Sequence, residues 1–259
     1  MKIAILGAGA FGTALGGVLA ENGHEVSYYD PAIRNSSLLE ALRGSEYIVL
    51  CVPSMAIQDI LLSLPKDRPL IVATKGILSP RIFEDYKDYM VLSGPGFAKD
   101  IKEHKNTKLT ATDRRIIDLF KTDYLDFDYT DDKKGVLMCG ALKNVYAILA
   151  GMEKISPNTD EQLKFLTEVS GEMKALLLAN GARPETVDLE CGIGDLRITC
   201  APPSRNFEFG VRLRKKPNYK PEKTVEGVSA LKRIKNGELI IPNSAVKLKE
   251  LLKRSEKWA

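Results

Sequence analysis

The chain has 259 residues, 44% hydrophobic and 28% charged, with a formal net charge of +4 at pH 7, which excludes a disordered, fibrous or strongly polyionic protein. Its four cysteines (Cys51, Cys139, Cys191, Cys200) show no CxxC spacing, so free thiols in a reducing compartment are expected, with no metal site. No uninterrupted apolar run is long enough to span a bilayer, and MKIAILGAGAFG reads as a strand entering a glycine turn, not as a signal peptide; a cytoplasmic protein that is not membrane-embedded is expected.

The first half alternates strand and helix signals. Residues 3–6 predict a short buried strand, 12–21 a helix closed by Asn22-Gly23, and 25–29 a second strand. A short helix follows at 37–42, then strand 47–52, helix 56–64 and strand 70–73; 89–92 and 108–111 read as two more strands. Such alternation implies a largely parallel sheet covered on both faces. From about residue 130 the pattern changes to long helices, 131–152 and 160–180, and β-branched alternation becomes scarce. Two domains are expected, 1–130 and 131–259, the second all-helical.

The turn after the first strand is Gly7-Ala8-Gly9-Ala10-Phe11-Gly12, a GxGxxG directly after a strand and opening a helix. In that context the first glycine permits the tight turn, the second lets the backbone approach a pyrophosphate, and the third lets helix and strand pack closely. The helix N-terminus adds N–H donors and the positive end of its dipole. Asp30 ends the second strand, where a carboxylate accepts hydrogen bonds from ribose hydroxyls and repels a 2′-phosphate. The fold class is therefore α/β, an N-terminal doubly wound Rossmann sheet binding a dinucleotide, joined to a C-terminal helical domain. NAD is the expected cofactor, with NADP as the alternative.

Residues 140–148, GALKNVYAI, lie in a stretch apolar on every side of a helix, yet carry Lys143 and Asn144. Burying an ammonium is costly unless it is paired or used. Beside a dinucleotide, Lys143 suits a general acid for a developing alkoxide, its pKa lowered by burial. From the helix alone the plainer reading is favoured, in which Lys143 extends its head to the surface while its stem covers apolar neighbours.

Eight motifs change that balance: GAGAFGTAL (7–15), CVPS (51–54), ATKGI (73–77), SGPGFAKDI (93–101), GALKNVYAI (140–148), GIGDLRITC (192–200), SRNFEFG (204–210) and VEGV (225–228). In this order they resemble the NAD(P)-dependent glycerol-3-phosphate dehydrogenases of the bacterial type. The resemblance implies that Lys143 is the catalytic acid/base and that Asp195 pairs with it. It also implies that Ser204, Arg205, Asn206 and Asn144 contact substrate, and that Lys75 reaches both cofactor and substrate. Gly94 and Ala98 would belong to the substrate and cofactor loop. Gly7, Gly9, Ala10, Phe11, Gly12, Asp30, Arg205, Thr224 and Glu226 would line the cofactor. The implied substrate is dihydroxyacetone phosphate or sn-glycerol 3-phosphate, serving phospholipid synthesis, and a homodimer is compatible with the resemblance.

The chain departs from the family at several places, and most members carry other residues where Asp30 stands. Between Asp30 and Tyr47 there is room for one short helix only, where members usually carry more. Gly96 stands where a serine or threonine is usual, and residues 162–169 lack an arginine. Rival readings are a β-hydroxyacid dehydrogenase acting on a carboxylate and a cofactor-binding protein without catalysis. Nucleic-acid binding by Arg212, Arg214, Lys215, Lys216, Lys220 and Lys223 ranks below both. That run is broken by Pro217 and Pro221, has little aromatic interleaving, and reads as a solvated loop.

Overall fold

The computed structural model describes residues 1–33, 36–221 and 224–258, the side chain of Lys257 apart. The chain forms two compact units, one of Met1–Thr74 with Pro80–Lys133, the other of Lys75–Ser79 with Lys134–Ala259.

The first unit is built on seven strands: β1 Lys2–Leu6, β2 Glu25–Tyr29, β3 Tyr47–Leu50, β4 Leu70–Val72, β5 Tyr89–Ser93, β6 Thr107–Ala111 and β7 Leu125–Tyr129. They form one sheet in the order β2-β1-β3-β4-β5-β6-β7. The first five are parallel, with Leu6 of β1 in register with Tyr29 and Leu50. The centre of the sheet is a continuous apolar run: Ile3–Leu6 of β1, Ile48–Leu50 of β3 and all of β4 are fully buried, as strands covered on both faces must be. The covering helices are α1 Ala10–Glu21, α2 Leu38–Leu42, α3 Ile57–Leu62, α4 Ala98–Lys102 and α5 Arg114–Phe120.

Strand β2 is an edge, because only α2 fits between Asp30 and Tyr47. The outer strand of the fuller six-strand dinucleotide order is therefore missing beyond β2, and the order reverses between β1 and β3. Two features differ from the sequence expectation. Strand β6 runs antiparallel to β5, and β7, parallel to β6, is a strand that the sequence does not announce. Its LDFDY alternates correctly but carries two aspartates, poor strand formers.

The second unit holds α6 Lys133–Glu153, α7 Asp160–Ala179, α8 Asp195–Thr199, α9 Arg205–Lys215, α10 Glu226–Lys235 and α11 Val246–Arg254, and no strand among the described residues. Helix α6 is long and apolar enough to cross a membrane by length and composition, which the sequence reading did not count, but its apolar stretch is 94% buried inside the protein. It is the core helix on which the others pack. Contact is by backbone: a Cβ on Gly151 would lie 2.1 Å from the Phe207 carbonyl oxygen, and one on Gly210 would lie 2.0 Å from that of Ile148. Only glycines allow α6 and α9 to approach so closely.

One buried carboxylate of this unit, that of Glu172, is satisfied by a helix end. Glu172 of α7 accepts from the Tyr146 hydroxyl (2.9 Å) and from the backbone N–H groups of Lys247 (2.6 Å) and Leu248 (3.1 Å), so it caps α11 while binding α6. The basic run is not one loop, since Arg212, Arg214 and Lys215 form the last turn of α9, and Lys223 lies outside the described residues.

Candidate active site

The glycine turn leaves β1 at the switch point of the sheet. Gly7 has φ +100°, and a Cβ there would stand 2.6 Å from the Cys51 carbonyl oxygen; a Cβ on Gly12 would stand 2.0 Å from the carbonyl oxygen of Gly7. These two glycines are required by the protein's own packing. Gly9 is not: a Cβ there would meet nothing within 4 Å. The space above Gly9 is open, and α1 begins with neither a side-chain cap nor an acid in its first turn, so the positive end of its dipole is left for an anion. Ala10, Phe11 and Gly12 form that first turn. The residues therefore fit the pyrophosphate of a dinucleotide.

Asp30 braces this turn. One carboxylate oxygen accepts from the Ala8 N–H and the other from the Ala32 N–H, both at 2.9 Å, while the Asp30 N–H donates to the Ser36 hydroxyl. Each oxygen keeps a second lone pair for a ribose hydroxyl. Cys51, under the turn, has its thiol pushed up to about 12 by burial and is no nucleophile.

Gly94, with φ +143°, follows β5 with its Cα against Leu109, and Ala98 opens α4. At Gly96 a Cβ would be 3.1 Å from the Leu109 side chain and 3.2 Å from that of Ile101, so any side chain there would press on both. Gly7, Asp30 and Gly94 all follow carboxyl ends of parallel strands, where open α/β sheets bind ligands.

The second unit contains a buried ionic centre. Lys143, 3% exposed on α6, contacts one carboxylate oxygen of Asp195, itself 1% exposed, and donates to the Thr199 hydroxyl at 3.1 Å. Lys75 donates to the other oxygen of Asp195 at 3.0 Å, and Thr199 donates to the first at 3.3 Å. Asp195 opens α8 directly after a single π-helical turn, Glu190–Gly194, in which a Cβ on Gly192 would collide with the Val187 carbonyl at 2.1 Å. Asp195 and Thr199, one helical turn apart, thus face the same lysine.

Burial pulls the Lys143 ammonium down to about 7; Asp195 opposes that shift and Lys75 reinforces it. Lys143 is not extended to the surface. The nearby Cys200 thiol is pushed up by burial and stays protonated. Thr199 is the member of this centre that sequence reasoning missed. The signal was present as Asp195 and Thr199 at i, i+4 in GDLRIT.

The other predicted residues divide. Asn144 donates to the Gly140 carbonyl at 3.1 Å and accepts from Asn206 at 2.8 Å, and Asn206 accepts from the Gly227 N–H at 2.9 Å. Both amides lock α6, α9 and α10 together. Ser204 caps α9, accepting from the Phe207 N–H. Arg205 is exposed in the first turn of α9, 3.5 Å from the Thr224 carbonyl oxygen, in a cleft of about 350 Å³ that Arg212 and Tyr219 also line. Thr224 is exposed, and Glu226 begins α10. A cleft of about 780 Å³ runs along α7, lined by Leu163, Lys174 and Arg197; none of the predicted residues lines it.

With this geometry, comparison with known proteins is informative. The N-terminal domain of NAD-dependent glycerol-3-phosphate dehydrogenase matches residues 2–34 and 31–116, and the C-terminal domain matches 132–243. A glycerol-3-phosphate dehydrogenase [NAD(P)+] of Pseudomonas entomophila is 32% identical over 286 aligned positions, covering 90% of this chain and 83% of the relative. One from Bacillus velezensis is 31% identical, covering 87% and 79%. The first alignment is longer than the chain itself, so that relative carries internal segments lacking here. The crystal structure of glycerol-3-phosphate dehydrogenase from Coxiella burnetii superposes with a TM-score of 0.83 at 23% identity, covering 99% of this chain and 95% of that one, which shows a common fold. The chain belongs to the NAD-dependent glycerol-3-phosphate dehydrogenase family.

Proposed function

We propose that the protein reduces dihydroxyacetone phosphate to sn-glycerol 3-phosphate, reversibly, with NADH preferred over NADPH. The observation that carries this reading is the buried Lys143–Asp195 pair, with the lysine pKa pulled down to about 7. The reduced nicotinamide, when bound, supplies the hydride. Lys143, as ammonium, gives its proton to the carbonyl oxygen, and in the reverse direction it takes that proton back as a neutral amine. Asp195 and Thr199, themselves hydrogen-bonded to each other, both hold the Lys143 head in place. Lys75 adds a second cation, suited to a dianionic phosphate ester, and Arg205 adds a planar fork for the phosphate oxygens. Asp30 favours NADH through ribose hydroxyls and against a 2′-phosphate. Reduced, buried cysteines agree with a cytoplasmic setting, where the product would serve phospholipid synthesis, and a homodimer belongs to the same reading.

The test is direct. Purified protein mixed with dihydroxyacetone phosphate should oxidise NADH faster than NADPH, followed at 340 nm. Lys143→Ala should lower turnover by about 10²-fold or more while NADH binding is unchanged. Absence of oxidation with either coenzyme, despite measured NADH binding, would overturn the reading.

A further inference from the structure

Lys75 reaches Asp195 from a short segment. Residues Lys75–Ser79 group with the second unit, although the chain on either side belongs to the first. Ile77 and Leu78 are buried and anchor the segment. Apolar contacts are not directional, so they do not fix the rotation of the Lys75–Gly76 backbone. That backbone turns through Gly76 at φ +94°, a left-handed geometry that favours glycine. The Gly76 carbonyl is taken by a side chain: Nη1 of Arg233, near the end of α10, donates to it at 3.0 Å. Arg233 is itself held, its Nε lying 2.8 and 3.0 Å from the two oxygens of Glu238.

The other end of α10 is fixed to the helix that carries Lys143. Gly227 packs where a Cβ would lie 2.5 Å from the Asn144 carbonyl oxygen, and its N–H donates to Asn206, which donates to Asn144. Asn144 follows Lys143 in the chain, and Gly76 follows Lys75. Six residues, about 9 Å of helix, separate Gly227 from Arg233. Helix α10 is thus a rigid spacer with one end beside each of the two lysines that share Asp195.

We infer that Arg233, braced by Glu238, is a positioning residue of the reaction: by holding the Gly76 carbonyl it sets where Lys75 stands against Asp195 and Lys143. The inference rests on the proposed roles of Lys75 and Lys143. The groups facing Lys143 are Asp195, Lys75, Thr199 and the protonated Cys200. If Lys75 moves away, Lys143 loses a repelling neighbour and a competitor for Asp195, and its pKa rises.

The experiment reads Lys143 in the protein without coenzyme, by NMR titration of ¹³C-labelled lysine side chains, and separately follows steady-state reduction of dihydroxyacetone phosphate. Arg233→Met should raise the Lys143 midpoint by roughly one pH unit. It should lower kcat/KM for the ketone about ten-fold at unchanged KM for NADH, whereas Arg233→Lys, which can still donate to Gly76, recovers most of both. Adding Arg233→Met to Lys75→Met should cost nothing more, because the residue it positions is gone. Should Arg233→Met fold poorly, Glu238→Gln, at a partly exposed site, should move the midpoint in the same direction by less. An unmoved midpoint in these variants, or losses that multiply with Lys75→Met, would overturn the inference. The NMR arm decides it even if the protein turned out to reduce a different ketone.

Discussion

Asp195→Asn separates the two forces acting on Lys143. Burial and Lys75 both push the ammonium towards neutrality, and the Asp195 carboxylate opposes them, leaving the pKa at about 7. Asparagine keeps the shape and a hydrogen-bonding oxygen but removes the charge. An opposite charge at this range is worth about one to three pH units, so the midpoint should fall to between about 4 and 6. At pH 7 the protonated fraction drops from about a half to about a tenth or less. The falling limb of kcat/KM for ketone reduction moves acidward accordingly, and part of the lost rate at pH 7 returns because the remaining acid is stronger. Stability follows the same sign. The folded state binds fewer protons than the unfolded one between about 7 and 10.5, so Lys143 makes stability rise with pH across that window. In Asp195→Asn the window opens at lower pH. The assay is the pH profile of kcat/KM from 5 to 9, paired with urea unfolding at the same values. A limb that stays near 7 or moves to higher pH would refute the assignment of Lys143 as the group titrating in turnover.

Two further substitutions test other parts of the protein. Asp30→Ala removes the acceptor of the Ala8 N–H in the glycine turn, so both coenzymes should bind about ten-fold more weakly by calorimetry, with the ratio shifting towards NADPH. A general weakening with no change of ratio would show that Asp30 braces the turn without selecting the coenzyme. Glu172→Ala strands the buried Tyr146 hydroxyl and uncaps α11; chemical denaturation should show a loss of about 2–4 kcal/mol, and a loss below 1 kcal/mol would show that water replaces the carboxylate.

The parts of the fold legible in the sequence are those where one local rule suffices. The buried strands β1, β3 and β4 are apolar throughout, and the turn after β1 has glycines where its geometry demands them. Strand β7 escaped because its alternation is built on aspartates, and α5 because its seven residues are marked only by the Asp113 cap. At the site, Lys143 and Asp195 are identified through motif resemblance, since a lone lysine in an apolar helix reads first as one that extends to the surface. The amides of Asn144 and Asn206 also bind each other, Gly140 and Gly227, a use that no spacing along the chain reveals and that leaves each amide one donor and one acceptor. Thr199 and Arg233 act through partners 56 and 157 positions away. Such contacts exist only once the helices have packed.

The residues proposed for coenzyme in the first unit and for proton transfer in the second should fail in different ways when mutated. In the first unit recognition is made by backbone: a turn whose Gly7 and Gly12 admit no Cβ, a helix start without a cap, and a carboxylate that holds a main-chain N–H. Charge changes there matter less than added volume, since a methyl at Gly12 collides with the Gly7 carbonyl and displaces every donor after it. In the second unit the working groups are charges confined at one carboxylate, Lys143, Lys75 and Asp195, in surroundings where dielectric screening is weak. Isosteric changes that alter only charge are therefore the damaging ones there. Volume changes become harmful at a distance, where Gly151 and Gly210 set the spacing of the helices behind the lysine.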